Sequence, residues 1–237
     1  MIKYPLKSWL IIIWLASISV ATAEEVPADQ VRGGAQLSAA DQDFATANQA
    51  QNKGDLMTAM TLFQRAADSG HAGAQASYAA ILQRGQAVED ALKYYRLSAA
   101  QEDRDGQYGL GMLYFLGEGV PKNLTEARQW FARAAAQEHI DAANMMADAY
   151  ISGRMDLSVA ERQSVAALPW IQRAAGYDYV PALDALADAY RFGQYGLAVD
   201  AEQADKLAAR ASKVRGKPLA SEKKRSRLYK FFKGDSE

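Results

Sequence analysis

The stretch Tyr114-Phe-Leu-Gly-Glu-Gly-Val-Pro121 runs through Lys122-Asn-Leu-Thr-Glu-Ala127 into the helical run Arg128-Gln-Trp-Phe-Ala-Arg-Ala-Ala-Ala136, and it has two readings. A Gly-x-Gly beside a helix start can cradle a phosphate on backbone N–H groups. The same glycines can instead close one helix and turn the chain into the next. A phosphate loop needs Gly-x-x-x-x-Gly-Lys-Ser/Thr, or Gly-x-Gly-x-x-Gly after a strand, and this stretch has neither. It also sets Glu118 where a phosphate would lie, so the structural reading is the stronger.

Repetition supports it. Five segments align without gaps, starting at Ala59, Ala91, Ala127, Ala167 and Ala204, with starts 32, 36, 40 and 37 residues apart. Three residues after each Ala come Leu62, Tyr94, Trp130, Trp170 and Leu207, then Phe63, Tyr95, Phe131, Ile171 and Ala208. Positions seven and eight are Ala or Ser in every copy. The spacing 0, 3, 4, 7, 8 is one face of an α-helix, with bulk to fill the space between layers and small residues to admit a neighbour. No single unit can bury such a face, so the copies must stack.

A second helix precedes each of these, ending at Gly54, Gly85, Gly117, Gly153 and Gly193. Each glycine is expected in the left-handed conformation that ends a helix. Small residues inside these helices (Gly109 and Gly111, Ala147 and Ala149, Ala187 and Ala189) mark close approach. A mid-helix glycine costs about 1 kcal/mol relative to alanine, which makes sense where another helix packs against it. The fifth copy decays at Ala208 and Ser212, as terminal repeats do. Pro218–Phe232 then reads as a capping helix, with Leu228, Phe231 and Phe232 on one side. The expected fold is all-α: an α/α solenoid of about five helix-turn-helix repeats with a C-terminal capping helix.

Tyr114-x-x-Gly117-x-Gly119-Val120 followed by Ala127-x-x-Trp130-Phe131-x-x-Ala134-Ala135 resembles the Sel-one-like repeat, over roughly residues 43–213. That family is a tetratricopeptide-like solenoid of about 36-residue units. The resemblance implies a protein-interaction scaffold, often bacterial and often exported. The absence of cysteine excludes the family's cysteine-rich branch.

The 23 N-terminal residues have the pattern of a signal peptide. Lys3 and Lys7 give a basic start, Trp9–Val20 an apolar run too short for a spanning helix, and Ala21-Thr-Ala23 a cleavage site. A soluble periplasmic or secreted mature protein is expected, and with no cysteine it rests on its core without disulfides. Residues 24–42 read as a flexible leader, with order beginning at the cap-like Ser38-Ala-Ala-Asp41. Apolar content of 49% supports a core, and a net charge of −1 argues against nucleic acid as a partner. The charge is uneven, however. Lys213–Lys233 holds nine Lys or Arg and one acid, Glu222, which makes residues 214–237 a basic capping helix or tail.

No catalytic or cofactor-binding constellation emerges. The two histidines, His71 and His139, fall in turns two repeats apart and are expected to be solvent-exposed; no metal site is expected of them. Ser221-x-x-Lys224 stands alone in a charged tail, without the motifs that accompany it in acyl-transfer enzymes. Asp141, Asp148, Asp184 and Asp188 cluster on the first helices of the late repeats, with Asp148 and Asp188 in one register (Ala-Asp-Ala-Tyr twice). They form a candidate stripe for a basic protein partner on the concave surface. Lys223, Lys224, Arg225, Arg227 and Lys230, interleaved with aromatics, are candidates for contact with an anionic membrane or polymer. The leading expectation is a periplasmic scaffold that binds protein segments; the alternative is an envelope-associated structural protein that uses its tail.

Overall fold

The computed structural model of the chain describes residues 37–216. The signal segment, residues 24–36 of the leader, Pro218–Phe232 and the five tail cations lie outside the described residues. Within them the first helices of the repeats are α1 (Ala39–Lys53), α3 (Ala72–Arg84), α5 (Arg104–Leu116), α7 (Ile140–Ser152) and α10 (Val180–Phe192). Their second helices are α2 (Leu56–Asp68), α4 (Val88–Ala100), α6 (Leu124–Ala136), α9 (Leu168–Gly176) and α11 (Ala201–Arg215). The long connector of the fourth repeat carries a one-turn helix, α8 (Val159–Arg162), and a 3-10 turn, Val165–Ala167. No strand occurs among the described residues, and none of their helices is long and apolar enough to cross a membrane.

Caps set the helix boundaries. Ser38 and Asp41 form a reciprocal capping box, so α1 starts at Ala39, inside the stretch read as leader. Asp55, Asn123 and Asp200 cap second helices through their side chains, and Asp103 caps α5. The histidines occupy the same slot as Asp103. Nδ1 of His71 accepts the Ala74 N–H at 3.0 Å, and Nδ1 of His139 accepts the Ala142 N–H at 3.1 Å. Each ring also lies 4.3 Å from an aromatic of the preceding first helix, Phe44 or Tyr108. Their side chains are 20% and 13% exposed. The expectation of solvent-exposed histidines is therefore corrected: a turn residue that caps the next helix faces inward, onto the layer before it.

The closing glycines divide. Gly54, Gly117, Gly153 and Gly193 are left-handed, as expected. Gly85 is not, with φ −78°; Gln86 takes the left-handed conformation in its place, at φ 65°. The Gly85–Ala87 connector copies the three-residue turn used between repeats, which puts the left-handed position on its middle residue. There a left-handed residue (Gly70, Glu102, Glu138 or Asp178) is flanked by two reversed backbone bonds, such as Glu138 N–H to the Ala135 carbonyl and His139 N–H to the Ala134 carbonyl. Gln86 and Ala87 make the same pair of bonds to Gln83 and Leu82.

The stacked faces form the core. Positions 0, 4, 7 and 8 are buried in the first four repeats (in the third, Ala127, Phe131, Ala134 and Ala135). A fully buried ring such as Phe131 contributes about 2–3 kcal/mol. In the fifth copy Ser212 is exposed and Ala208 only half-buried. The bulky residue at position 3 reaches back a layer: Trp130 packs on the cluster around Tyr95 and Leu110, and Trp170 on the cluster around Phe131 and Met146. The mid-helix glycines are needed for space. A Cβ on Gly109 would lie 2.0 Å from the Tyr95 ring, and one on Gly111 would lie 2.8 Å from Phe131.

Polar side chains tie the layers together. Buried Gln75 and Gln107 on first helices bond Gln101 and Gln137 at the ends of the matching second helices. Arg173 and Arg210 donate to the carbonyls of Ala135 and Gly176, one layer earlier. In the connector after α5, Gly117 ends the helix and the Asn123 N–H closes the loop on the Tyr114 carbonyl at 2.9 Å. Glu118 accepts from Gln83 of the preceding repeat at 2.6 Å. The Gly-x-Gly is a hinge whose acid is already engaged.

Candidate functional site

Among the first helices of neighbouring repeats, α3 lies against α5 and α7 against α10, closer than any two successive second helices come. The concave surface of a solenoid is its usual binding side, and the first helices were expected to line it. On α7 and α10 positions that are not fully buried form one stripe. It includes Asp141, Asn144, Met145 and Asp148 on α7, and Pro181, Asp184, Ala185 and Asp188 on α10.

The structure therefore brings the four acids named from the sequence onto one face, and it supplies most of them with counter-charges. Asp148, 15% exposed, faces Arg154 at 3.3 Å. Asp188, 54% exposed, pairs with Arg191 at 2.9 Å, and Asp184 pairs with Arg215 at the end of α11. Asp141 stands exposed in the first turn of α7, where a carboxylate suits the positive helix end. The Asp184 and Asp188 pairs are exposed, each worth little to stability and each able to exchange partners.

Two of these acids line a depression of about 440 Å³, with Ile151, Pro181, Ala185 and Phe192 as its apolar walls and Gln194 and Tyr195 at its end. Phe192 is 64% exposed, so the groove offers a large apolar side chain to solvent. A second cleft of about 520 Å³ shares Ile151, Gln194 and Tyr195, and is completed by Tyr150, Arg162, Gln163 and Gly193. Burial raises the Tyr195 phenol above its ordinary pKa, against the opposing charge of Arg162. Burial likewise raises Tyr179, helped by Asp148. Ile151, Arg162, Phe192 and Tyr195 were not singled out from the sequence. The length of the Arg154–Ala166 connector was the signal available, since the extra chain carries Arg162 to the groove.

This arrangement suits holding an extended or helical segment: apolar floor, flanking charges, many side-chain donors and acceptors. Among the described residues no three His, Cys, Asp or Glu side chains come together in a way that could hold a metal ion.

The Sel1 repeat model matches residues 52–71, 72–103, 104–139 and 180–213, just over half of the chain. The chain belongs to the Sel1 repeat family. The matched segments pass over 140–179, the repeat with the long connector. Among solved structures, a protective antigen of uropathogenic Escherichia coli with an SLR fold is similar at 24% identity and a TM-score of 0.62, over 73% of this chain and 38% of that one. A Sel1 repeat protein from Oxalobacter formigenes is similar at 26% identity and a TM-score of 0.59, over 71% of this chain and 48% of that one. The DAP3-binding cell death enhancer 1 of Rattus norvegicus is 35% identical over 80 residues, 33% of this chain. This chain spans 16% of the rat protein and less than half of either solved chain. Sel1 repeat proteins generally mediate protein–protein interaction, and their fold is typically a non-catalytic scaffold.

Proposed function

We propose that this chain is an exported scaffold, acting in the periplasm or outside the cell, that holds a segment of a protein partner in the α7–α10 groove. The observation that carries the reading is the groove itself: Ile151, Pro181, Ala185 and Phe192 exposed between Asp184 and Asp188 on the first-helix face of the stack. The start of the sequence supports export, and the family supports a protein partner. Asp148 and Asp141 extend the same face and meet the partner's basic side chains, Asp148 by exchanging Arg154 for them. The site has no residues poised for bond-making, so its action is binding and positioning.

The test is site-specific photo-cross-linking in cells that export the full chain. A photoreactive side chain at Ala185 should capture a defined partner from a chain that begins at Glu24. The same side chain at Gln172, exposed on α9, should capture little. Charge reversal at Asp184 and Asp188 together should cut the Ala185 capture several-fold. Equal capture from Ala185 and Gln172, or capture indifferent to the reversal, refutes the groove.

A further inference from the structure

The second cleft holds a cation without an anion. Arg162 ends the one-turn helix α8 and is half-buried, and its Nε is enclosed with no acceptor. Its side chain makes no ion pair or hydrogen bond among the described residues. The neighbouring acid does not serve it, because Glu161 is turned back onto Ser158, accepting its backbone N–H at 2.8 Å and its hydroxyl at 2.6 Å. The guanidinium lies instead on Gly153. A Cβ there would meet its Nη1, Cδ and Cζ at 3.1–3.2 Å. Gly153 ends α7 in the left-handed conformation, so the arginine sits at the negative end of that helix. That position favours a cation, yet it leaves the donor fork unfilled.

The rest of the cleft is a wall of neutral donors: Gln163, Gln194, Tyr150 and Tyr195, with no acid among the lining residues. A planar guanidinium with amide neighbours, partly shielded from water, is matched to a carboxylate, which can take two parallel N–H bonds. The cleft opens into the apolar groove through Ile151, Gln194 and Tyr195. We propose that Arg162, with Gln163 and Gln194 beside it, receives a carboxylate of the bound segment, whose adjoining apolar side chain rests on Ile151, Phe192 and Tyr195. The groove is then bipolar: carboxylate at the Arg162 end, basic side chains at the Asp184 and Asp188 end. This polarity fixes the direction in which a segment lies, and it rests on the groove being the partner face.

The chemistry is shared by a chain's terminal carboxylate and by an Asp or Glu side chain, and small probes separate the two. The protein purified from cells expressing the full chain, labelled with ¹⁵N, is titrated with N-acetyl-leucine (terminal carboxylate), N-acetyl-leucyl-aspartate with amidated terminus (side-chain carboxylate only) and N-acetyl-leucinamide (neutral). At least one carboxylate probe should shift the Gln163 and Gln194 amides at about tenfold lower concentration than the neutral probe, and which one does names the source. Arg162→Gln should erase that preference and leave neutral-probe binding in place, and Arg162→Lys should keep part of it. If all three probes bind alike to the unmutated protein, the carboxylate inference fails while the groove stands; that comparison needs no variant to fold. If none binds, the groove fails with it. An Arg162→Gln protein that still prefers carboxylates also overturns the assignment.

Discussion

Gly109 lies in the middle of α5, where helix propensity alone favours replacing it with alanine by about 1 kcal/mol. The packing reverses that sign. An added Cβ would stand 2.0, 2.3 and 2.5 Å from three atoms of the Tyr95 ring. The ring cannot swing away cheaply: Tyr95 is 5% exposed, and its hydroxyl donates to Gln83 Oε1 at 3.2 Å. Relief requires α4 and α5 to move apart by more than 1 Å, and overpacking of this kind costs about 2–3 kcal/mol. Gly109→Ala should therefore destabilise by a net ~1–2 kcal/mol, which for an ordered region of this size lowers Tm by about 2–8 °C. The matched control is Gly176→Ala at the end of α9, where an added Cβ meets nothing within 4 Å. It should be neutral or stabilising by up to about 1 kcal/mol. Urea and thermal unfolding followed at 222 nm read both changes, and Tyr95→Leu in the Gly109→Ala background should recover about 1 kcal/mol through non-additivity. A rise in Tm for Gly109→Ala would show that propensity outweighs packing here and would refute the argument.

Two further outcomes follow from the turns and caps. Gln86→Gly removes a left-handed non-glycine residue and should stabilise by about 0.5–1 kcal/mol, whereas Gly117→Ala, at φ 79° with Lys122 Cβ 3.1 Å from the new methyl, should cost about 1–2 kcal/mol; chemical denaturation of both separates the signs. His139 caps α7 only while Nδ1 is unprotonated, and burial holds its pKa below the ordinary 6.5, against the opposing pull of Asp105. Its contribution is thus complete above that value and is lost as pH falls through the depressed one, so stability should drop between pH 7 and 5 by more than in His139→Asn, which keeps a cap that does not titrate. Parallel slopes for the two proteins across that range would remove His139 from the account.

The repeat was legible because its signal is redundant. Position 4 alone (Phe63, Tyr95, Phe131, Ile171) predicts a buried face four times, and the structure buries it four times. The glycine rule held at Gly54, Gly117, Gly153 and Gly193 and failed at Gly85, where the turn places its left-handed position one residue later, on Gln86. The histidines were misjudged for a related reason: their place in a turn is local information, while the Phe44 and Tyr108 rings that cover them come from the layer before. The acids were readable as one face by periodicity. Arg191, three residues after Asp188 on the same helix, shares that periodicity; Arg154 and Arg215 do not, because they reach Asp148 and Asp184 from the connector and from α11. Arg162 was invisible for the same reason, lying in a connector that matches no other copy.

The two kinds of link differ in a way that bears on how the chain can change. Every passage from one repeat to the next uses three residues (Ser69–His71, Gln101–Asp103, Gln137–His139, Tyr177–Tyr179) with the same left-handed middle residue. The links within repeats range from Gly54–Asp55 to the whole of Gly153–Ala167. The first kind is constant in length along the stack and the second is not. Variation in chain length is thus confined to one margin of the stack, and there, between α7 and α9, the longest link brings side chains such as Arg162 to the groove.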